Sequence, residues 1–296
     1  MVLLPSIFVA FLAIASLVDA DGFCRLDTCD PGVHTMCQFS SPQPSRQCGA
    51  YKDATVTPAE KKELLDVHNK LRARVASGQE TRGIGGPQPA GIIPPLSWDE
   101  ELAVVAQRWA NQCHFGHDSC RNVERFRVGQ NVAYEEWSGS YNTKLSTLVN
   151  NWYDEVEQFD RRIIPSYQYF SATGHYTQMV WGKTTKVGCG VIRHPHNGMF
   201  RTYLVCNYAD RGNIAEQPIY ETGRGGATRN QHNNQRNPQR YTPISQPRYP
   251  NQHQNVGQNR NPQRNAQTFH FTYPANQDHN AIQQKMNACM QTCMLG

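Results

Sequence analysis

The 296-residue sequence predicts an α+β layered domain over residues 57–222. Three segments repeat their apolar residues at helical spacing. Two β-like runs follow, joined by Asn197-Gly198, a dipeptide suited to a tight hairpin. Helices set beside a small antiparallel sheet indicate α+β layers, and a chain of this length can bury one substantial core.

Each element has a local reason. Thr57-Pro58-Ala59-Glu60 reads as an N-cap, a first-turn proline and the glutamate of a capping box. Behind it Leu64, Val67, His68, Leu71 and Val75 share one helical face, and Gly78 closes the helix. His68, on that apolar stripe, is expected to be a hydrogen-bonded core histidine. A Gly/Pro-rich loop covers 83–95. Ser97-Trp98-Asp99-Glu100 repeats the capping-box pattern ahead of a second stripe of Trp98, Leu102, Val105, Ala106 and Trp109 that ends at Cys113. A third helix is predicted over 144–159, with Leu145, Leu148, Val149, Trp152, Val156 and Phe159 inward. Strands are predicted over 128–134, 187–193 and 201–208. Trp109, Trp152 and Trp181 are assigned to packing, and His114 to the surface or a loop.

Outside this domain, composition takes over. Residues 1–20 are apolar almost throughout and end in Val18-Asp19-Ala20, the pattern of a secretory leader. No later stretch is apolar for long enough to span a bilayer, so a secreted, soluble chain is expected. All ten cysteines lie after residue 20, and no CxxC pair favours zinc, so disulfides in an oxidising compartment are expected. Residues 21–56 form a cysteine-dense entry segment. No Asn-x-Ser/Thr sequon occurs. The net charge of +5 is uneven, because residues 221–296 carry seven Arg and one Lys against Glu221 and Asp278. Within 223–280, 21 of 58 residues are Asn or Gln, too polar a stretch to offset its ordering entropy, and disorder is expected there. Residues 281–296 regain an apolar stripe that includes Cys289 and Cys293. Two partner expectations follow: attachment of the basic tail to anionic surfaces, against a solvated spacer with no partner, and a disulfide-linked homodimer through Cys289 and Cys293, against a local bridge between them in a non-helical terminus. No nucleic-acid partner is expected.

Four stretches now carry a resemblance: GHYTQMVWGKT (174–184), YLVCNYADRGNI (203–214), CHFGHDSCRNVERFRVGQNVA (113–133) and NNWYDEV (150–156). The first two are similar to the signature motifs of the CAP superfamily, which groups cysteine-rich secretory, antigen 5 and pathogenesis-related proteins. The last two resemble its antigen 5 branch, the venom and salivary proteins of arthropods. The resemblance covers roughly residues 22–222 and leaves the tail outside.

The resemblance implies an α-β-α sandwich with a shallow cavity lined by two histidines and two acidic residues. Position by position these are His117, His175 and Glu155, while the second acidic position falls on Gln130. It also implies the pairs Cys24–Cys37, Cys29–Cys120, Cys48–Cys113 and Cys189–Cys206, with Cys289 and Cys293 unassigned. His117, His175 and Glu155 are the candidate ligands for weakly bound Zn²⁺ or Cu²⁺; the neutral Gln130 removes a charged ligand, and Gln130→Glu is expected to tighten the site. The rival role for these residues is a structural hydrogen-bonded cluster. No Gly-x-Ser-x-Gly or His-Glu-x-x-His motif occurs, and a hydrolase is the least favoured class. The expected function is therefore non-enzymatic: a venom or salivary protein that binds a host target or small ligand. A lipid or amphiphile carrier and a weak metal binder are the alternatives.

Overall fold

A computed structural model describes residues 20–223, with side chains from Gly22 onward. The leader, the Asn/Gln-rich tail, Cys289, Cys293 and the proposed dimer therefore lie outside the described residues. The entry segment holds two short helices, α1 (Ala20–Cys24) and α2 (Thr35–Gln38). Then come α3 (Pro58–Ala76), β1 (Gly91–Ile92), β2 (Ser97–Trp98), α4 (Glu100–Ala110), β3 (Gly129–Trp137), α5 (Leu145–Asp154), α6 (Gly174–Met179), β4 (Lys186–His196), β5 (Met199–Ala209) and β6 (Glu221–Thr222).

Local signals set several boundaries. At the start of α3 the Thr57 hydroxyl accepts from the Glu60 N–H, and the Glu60 carboxylate accepts from the Thr57 N–H at 2.9 Å, which closes the capping box. Asn197 and Gly198 both take positive φ, 50° and 77°. That is the two-residue turn whose twist matches the flanking strands, and β4 pairs with β5 from His196↔Met199 to Lys186↔Ala209. The principal sheet runs β2-β4-β5-β3. β2 is parallel to β4, β3 is antiparallel to β5, and β1 pairs with β6 in a separate ladder.

Three helix boundaries differ from the sequence reading. Ser97 does not cap α4. The Asp99 N–H donates to the Val187 carbonyl at 2.9 Å, so the chain stays extended against β4 through that residue. Asp99 then caps the helix by accepting from the Leu102 N–H. Trp98 consequently lies in β2, half-buried, with the Lys61 ammonium 5.3 Å from its ring centre. α4 stops at Ala110 rather than Cys113. α5 likewise stops at Asp154, and the chain tightens into a 3-10 turn, Glu155–Gln158, that still buries Val156 and Phe159.

Strand alternation sorts the core into two sides. Cys189, Val191, Leu204, Cys206 and Tyr208 join Leu64 of α3 and Leu148, Val149 and Trp152 of α5. The intervening Ile192, Tyr203 and Val205 join Ala106, Trp109 and Ala110 of α4. Gly188 and Gly190 explain how closely α4 lies on the sheet. A Cβ on Gly188 would sit 2.3 Å from the Ala103 nitrogen, and one on Gly190 2.3 Å from the Gln107 nitrogen. No side chain fits there. The result is an α-β-α sandwich, with α4 on one face and α3 and α5 on the other.

Four disulfides fasten it. Cys24–Cys37, Cys29–Cys120 and Cys48–Cys113 hold the irregular entry segment to itself and to the chain after α4. Cys189 and Cys206 are directly opposed in the β4–β5 hairpin and form the fourth.

A buried cation ties α3 to the far side of the core. Arg72 is 0% exposed. It donates to the carbonyls of Pro94 (2.6 and 2.9 Å), Met179 (2.6 Å), Trp181 (3.0 Å) and Thr184 (2.8 Å). Carbonyl dipoles alone surround this charge, and burial lowers its pKa to about 10.

Candidate functional site

Three segments bring the predicted site residues together at the β3 edge of the sheet. The first is the loop after α4. Trp109 Nε1 and the Tyr203 hydroxyl both donate to the Gly116 carbonyl, at 2.8 and 3.2 Å, which fixes the backbone beside His117. The second is β3, where Gln130 points to the same side as Val132 and Tyr134. The third is the turn from α5 into α6, which carries Glu155 and His175.

The two histidines are oriented by different partners. His117 Nδ1 lies 2.8 Å from Gln130 Oε1, and His175 Nδ1 lies 2.6 Å from Glu155 Oε1. Both oxygens accept only, so Nδ1 of each neutral ring carries the proton and Nε2 carries the lone pair. Burial is the first cause that lowers the His117 pKa, against the raising hydrogen bond to Gln130, and the nearby charge of Arg121 lowers it further. His117 therefore stays neutral at pH 7. The Trp152 ring stacks on His175, 6.0 Å between centres and 21° between planes.

Glu155 is not placed as a third ligand. Its Oε2 accepts the backbone N–H groups of His175 (2.9 Å) and Tyr176 (3.0 Å). One carboxylate thus caps the first turn of α6 and, through Oε1, orients the His175 ring. Both oxygens of Glu155 thus take part in hydrogen bonds within the site. Among the described residues no group of three or more His, Cys, Asp or Glu side chains is arranged to hold a metal ion. What fits a divalent cation here is a pair of imidazoles, each with Nδ1 held by a hydrogen-bond acceptor, the usual support for a histidine ligand. Their Nε2 atoms would hold the ion, which would act as a Lewis acid.

Gln130 has a role that its sequence position did not disclose. Its Nε2 donates to Asp118 Oδ1 and to Asn207 Oδ1, both at 3.1 Å. Asp118 is 6% exposed, paired with Arg121 and bonded by the Thr35 hydroxyl. A glutamate at 130 would lose two donors and set a second carboxylate against Asp118. Gln130→Glu is therefore expected to lower unfolding free energy by about 1–3 kcal/mol at pH 7, with a smaller loss near pH 4.5, where the two acids can share a proton. Urea unfolding at the two pH values checks this; equal stability of variant and parent at pH 7 would refute it.

Behind His175 runs a buried directional chain. Asn131 Nδ2 donates to the His175 carbonyl (3.1 Å) and to the Tyr208 hydroxyl (3.4 Å). Tyr208 in turn meets His68 Nε2 at 2.8 Å, and His68 Nδ1 meets the Leu64 carbonyl at 2.7 Å. His68 is therefore a core histidine, proton on Nδ1. Asp118, Asn131, Asn207 and Tyr208 were not predicted as site residues. The only sequence signal was their position inside the FGHD, GQNVA and CNYAD stretches. Thr177 donates to Asn213 Oδ1 at 2.7 Å and is tied up within its own loop.

The groove between α3 and α5 is about 1070 Å³. Its lining mixes Val67, Leu71 and Ala73 with charged residues such as Asp66, Lys70 and Arg74.

The family model described as the cysteine-rich secretory protein family, CAP, matches residues 65–208. Venom allergen 5 of Brachyponera chinensis is 50% identical over 194 residues, which are 64% of this chain and 98% of that protein. Venom allergen 3 of Solenopsis invicta is 49% identical over 211 residues, 68% of this chain and 90% of that one. Among solved structures, NaASP2 with Zn²⁺ matches with a TM-score of 0.48 at 31% identity, covering 57% of this chain and 88% of that chain. No described helix is long and apolar enough to cross a membrane. By the family model and the two venom allergens, the chain belongs to the cysteine-rich secretory protein (CAP) family and is of the antigen 5 type.

Proposed function

We propose that this chain is a secreted venom protein that acts by binding rather than by turnover, with the His117–His175 pair as a weak site for Zn²⁺ or Cu²⁺. The carrying observation is the matched orientation of the two rings, each with Nδ1 on an acceptor and Nε2 holding its lone pair. Two imidazoles without a charged ligand make a weak chelate. Binding rather than turnover is supported by the histidines' own partners: they are an amide and a carboxylate, and no hydroxyl or thiol nucleophile among the described residues is hydrogen-bonded to either ring. Secretion is supported by the four disulfides and by the two relatives that carry the name venom allergen.

Calorimetry with zinc chloride tests the site. The parent protein is expected to bind weakly, and the His117→Ala, His175→Ala double variant is expected to lose that binding. Unchanged binding in the double variant would refute the assignment and move the metal to another histidine-bearing segment. Native mass spectrometry of the secreted protein, combined with elemental analysis, reports what it carries on release. Turnover of peptide or ester substrates by the pure protein would overturn the binding role.

A further inference from the structure

A second cleft, about 480 Å³, opens away from the histidine pair. Arg127, Lys183 and Arg211 line it, together with Trp181, Glu124, Asp210 and Arg125. None of His117, His175, Glu155 or Gln130 does. Arg125 is already committed to Asp99 and Glu101, at 3.0 and 2.6 Å. The other three cations are not. Arg127 and Arg211 form no side-chain hydrogen bond or ion pair among the described residues, and Lys183 has only a 3.5 Å contact with Gln217. The Arg211 N–H donates to the Arg127 carbonyl at 2.9 Å, so the main chain holds these two arginines side by side.

The inner wall supplies a second, independent observation. Trp181 is 0% exposed, and its indole N–H has no acceptor among the described residues. Five other buried side-chain atoms also lack partners. The hydroxyls of Tyr167, Tyr176 and Thr202 can turn, while Gln88 Oε1 and His194 Nε2 accept. Only the indole N–H is limited to donating, and leaving such a donor unmet in a dry site is costly. That N–H is closed off from the cleft, so Trp181 serves as a packed wall, and the uncommitted cations that line the cleft with it call for a negative ligand.

We propose that this cleft binds an oxyanion of the sulfate or phosphate type, gripped by Arg127, Arg211 and Lys183 against the wall that Trp181 forms. Arginine presents paired N–H groups that match such oxygens. Glu124 and Asp210 at the rim oppose a diffuse polyanion and leave a single compact oxyanion group as the better fit. The site is independent of the histidine pair, so either can fail without the other.

The test is a sodium sulfate titration of the full-length secreted protein at constant ionic strength, read by the indole N–H resonances of its five tryptophans. The resonance missing from Trp181→Phe identifies Trp181. It is expected to shift saturably, whereas sulfate attracted by the basic tail leaves it unmoved. The Arg127→Gln, Arg211→Gln double variant, altered only at exposed positions, is expected to weaken binding by roughly tenfold or more. A Trp181 resonance that does not saturate, or equal affinity in the double arginine variant, would overturn the proposal. Parallel titrations with inorganic phosphate and a sulfated disaccharide separate a free ion from a glycan sulfate; preference for either upholds the site.

Discussion

Replacing Arg72 with methionine is expected to lower the unfolding free energy by about 3–5 kcal/mol. Methionine fills much of the volume but leaves the carbonyls of Pro94, Met179, Trp181 and Thr184 without donors in a site closed to water. Burying the guanidinium is itself unfavourable, as its lowered pKa shows, and this offsets part of the loss. The net effect stays large because an unmet buried acceptor costs more than a satisfied one contributes. Arg72→Lys is expected to recover only part of the stability, since an ammonium has three donors and no planar fork. Denaturant unfolding of the three proteins measures the effect. The same substitution should disturb the histidine site, because three of the four carbonyls lie at Met179–Thr184, just after His175. A loss under 1 kcal/mol would mean that water, not Arg72, satisfies those carbonyls.

Acidification is expected to remove about 3 kcal/mol of stability between pH 6.5 and pH 4 through His68 alone. Burial lowers the His68 pKa from 6.5 to about 4, because a charged ring would sit in the core and its Nε2 would no longer accept from Tyr208. The unfolded chain therefore binds this proton first as the pH falls. Stability is complete above pH 6.5, declines through the interval and loses nothing more from this group below about pH 4. His194 is shifted the same way, also to about 4, chiefly by burial, and steepens the decline. The buried carboxylate of Glu80, lowered to about 2 by its hydrogen bonds to Arg82 and Tyr153 against the opposing effect of burial, acts in a lower window, as the pH falls below its unfolded value. Urea midpoints taken from pH 7 to pH 4 check the prediction. His68→Gln should lower stability at pH 7 and flatten the slope. A parent curve flat between pH 6.5 and pH 4.5 would show that His68 is not buried in the neutral form.

Some of the architecture was legible because its causes are local. The capping box at Thr57 and Glu60, the Asn197-Gly198 turn and the apolar stripes of α3 and α5 each depend on residues within a few positions of one another. His68 was readable as a core histidine for the same reason: its place on the Leu64–Leu71–Val75 face follows from helical spacing alone. The family motifs then placed His117, His175 and Glu155 in one neighbourhood.

What the tertiary structure decided is the role each of these residues takes, since roles depend on partners distant in sequence. Asp99 displaced Ser97 as the cap of α4 because β4, more than eighty residues later, holds the chain extended up to that point. Glu155 became a helix cap and ring anchor because α6 presents two N–H groups where a metal ligand was expected. Gln130 proved suited to its position because Asp118 and Asn207 both need a donor there. Arg72 looked like one more polar residue on an amphipathic helix, and only the converging carbonyls of two other segments make its burial tolerable. Helix and turn signals act over a few residues and survive in the sequence as patterns. Hydrogen-bond complementarity between segments leaves no such pattern, and it exists only once the sheet and its covering helices have closed.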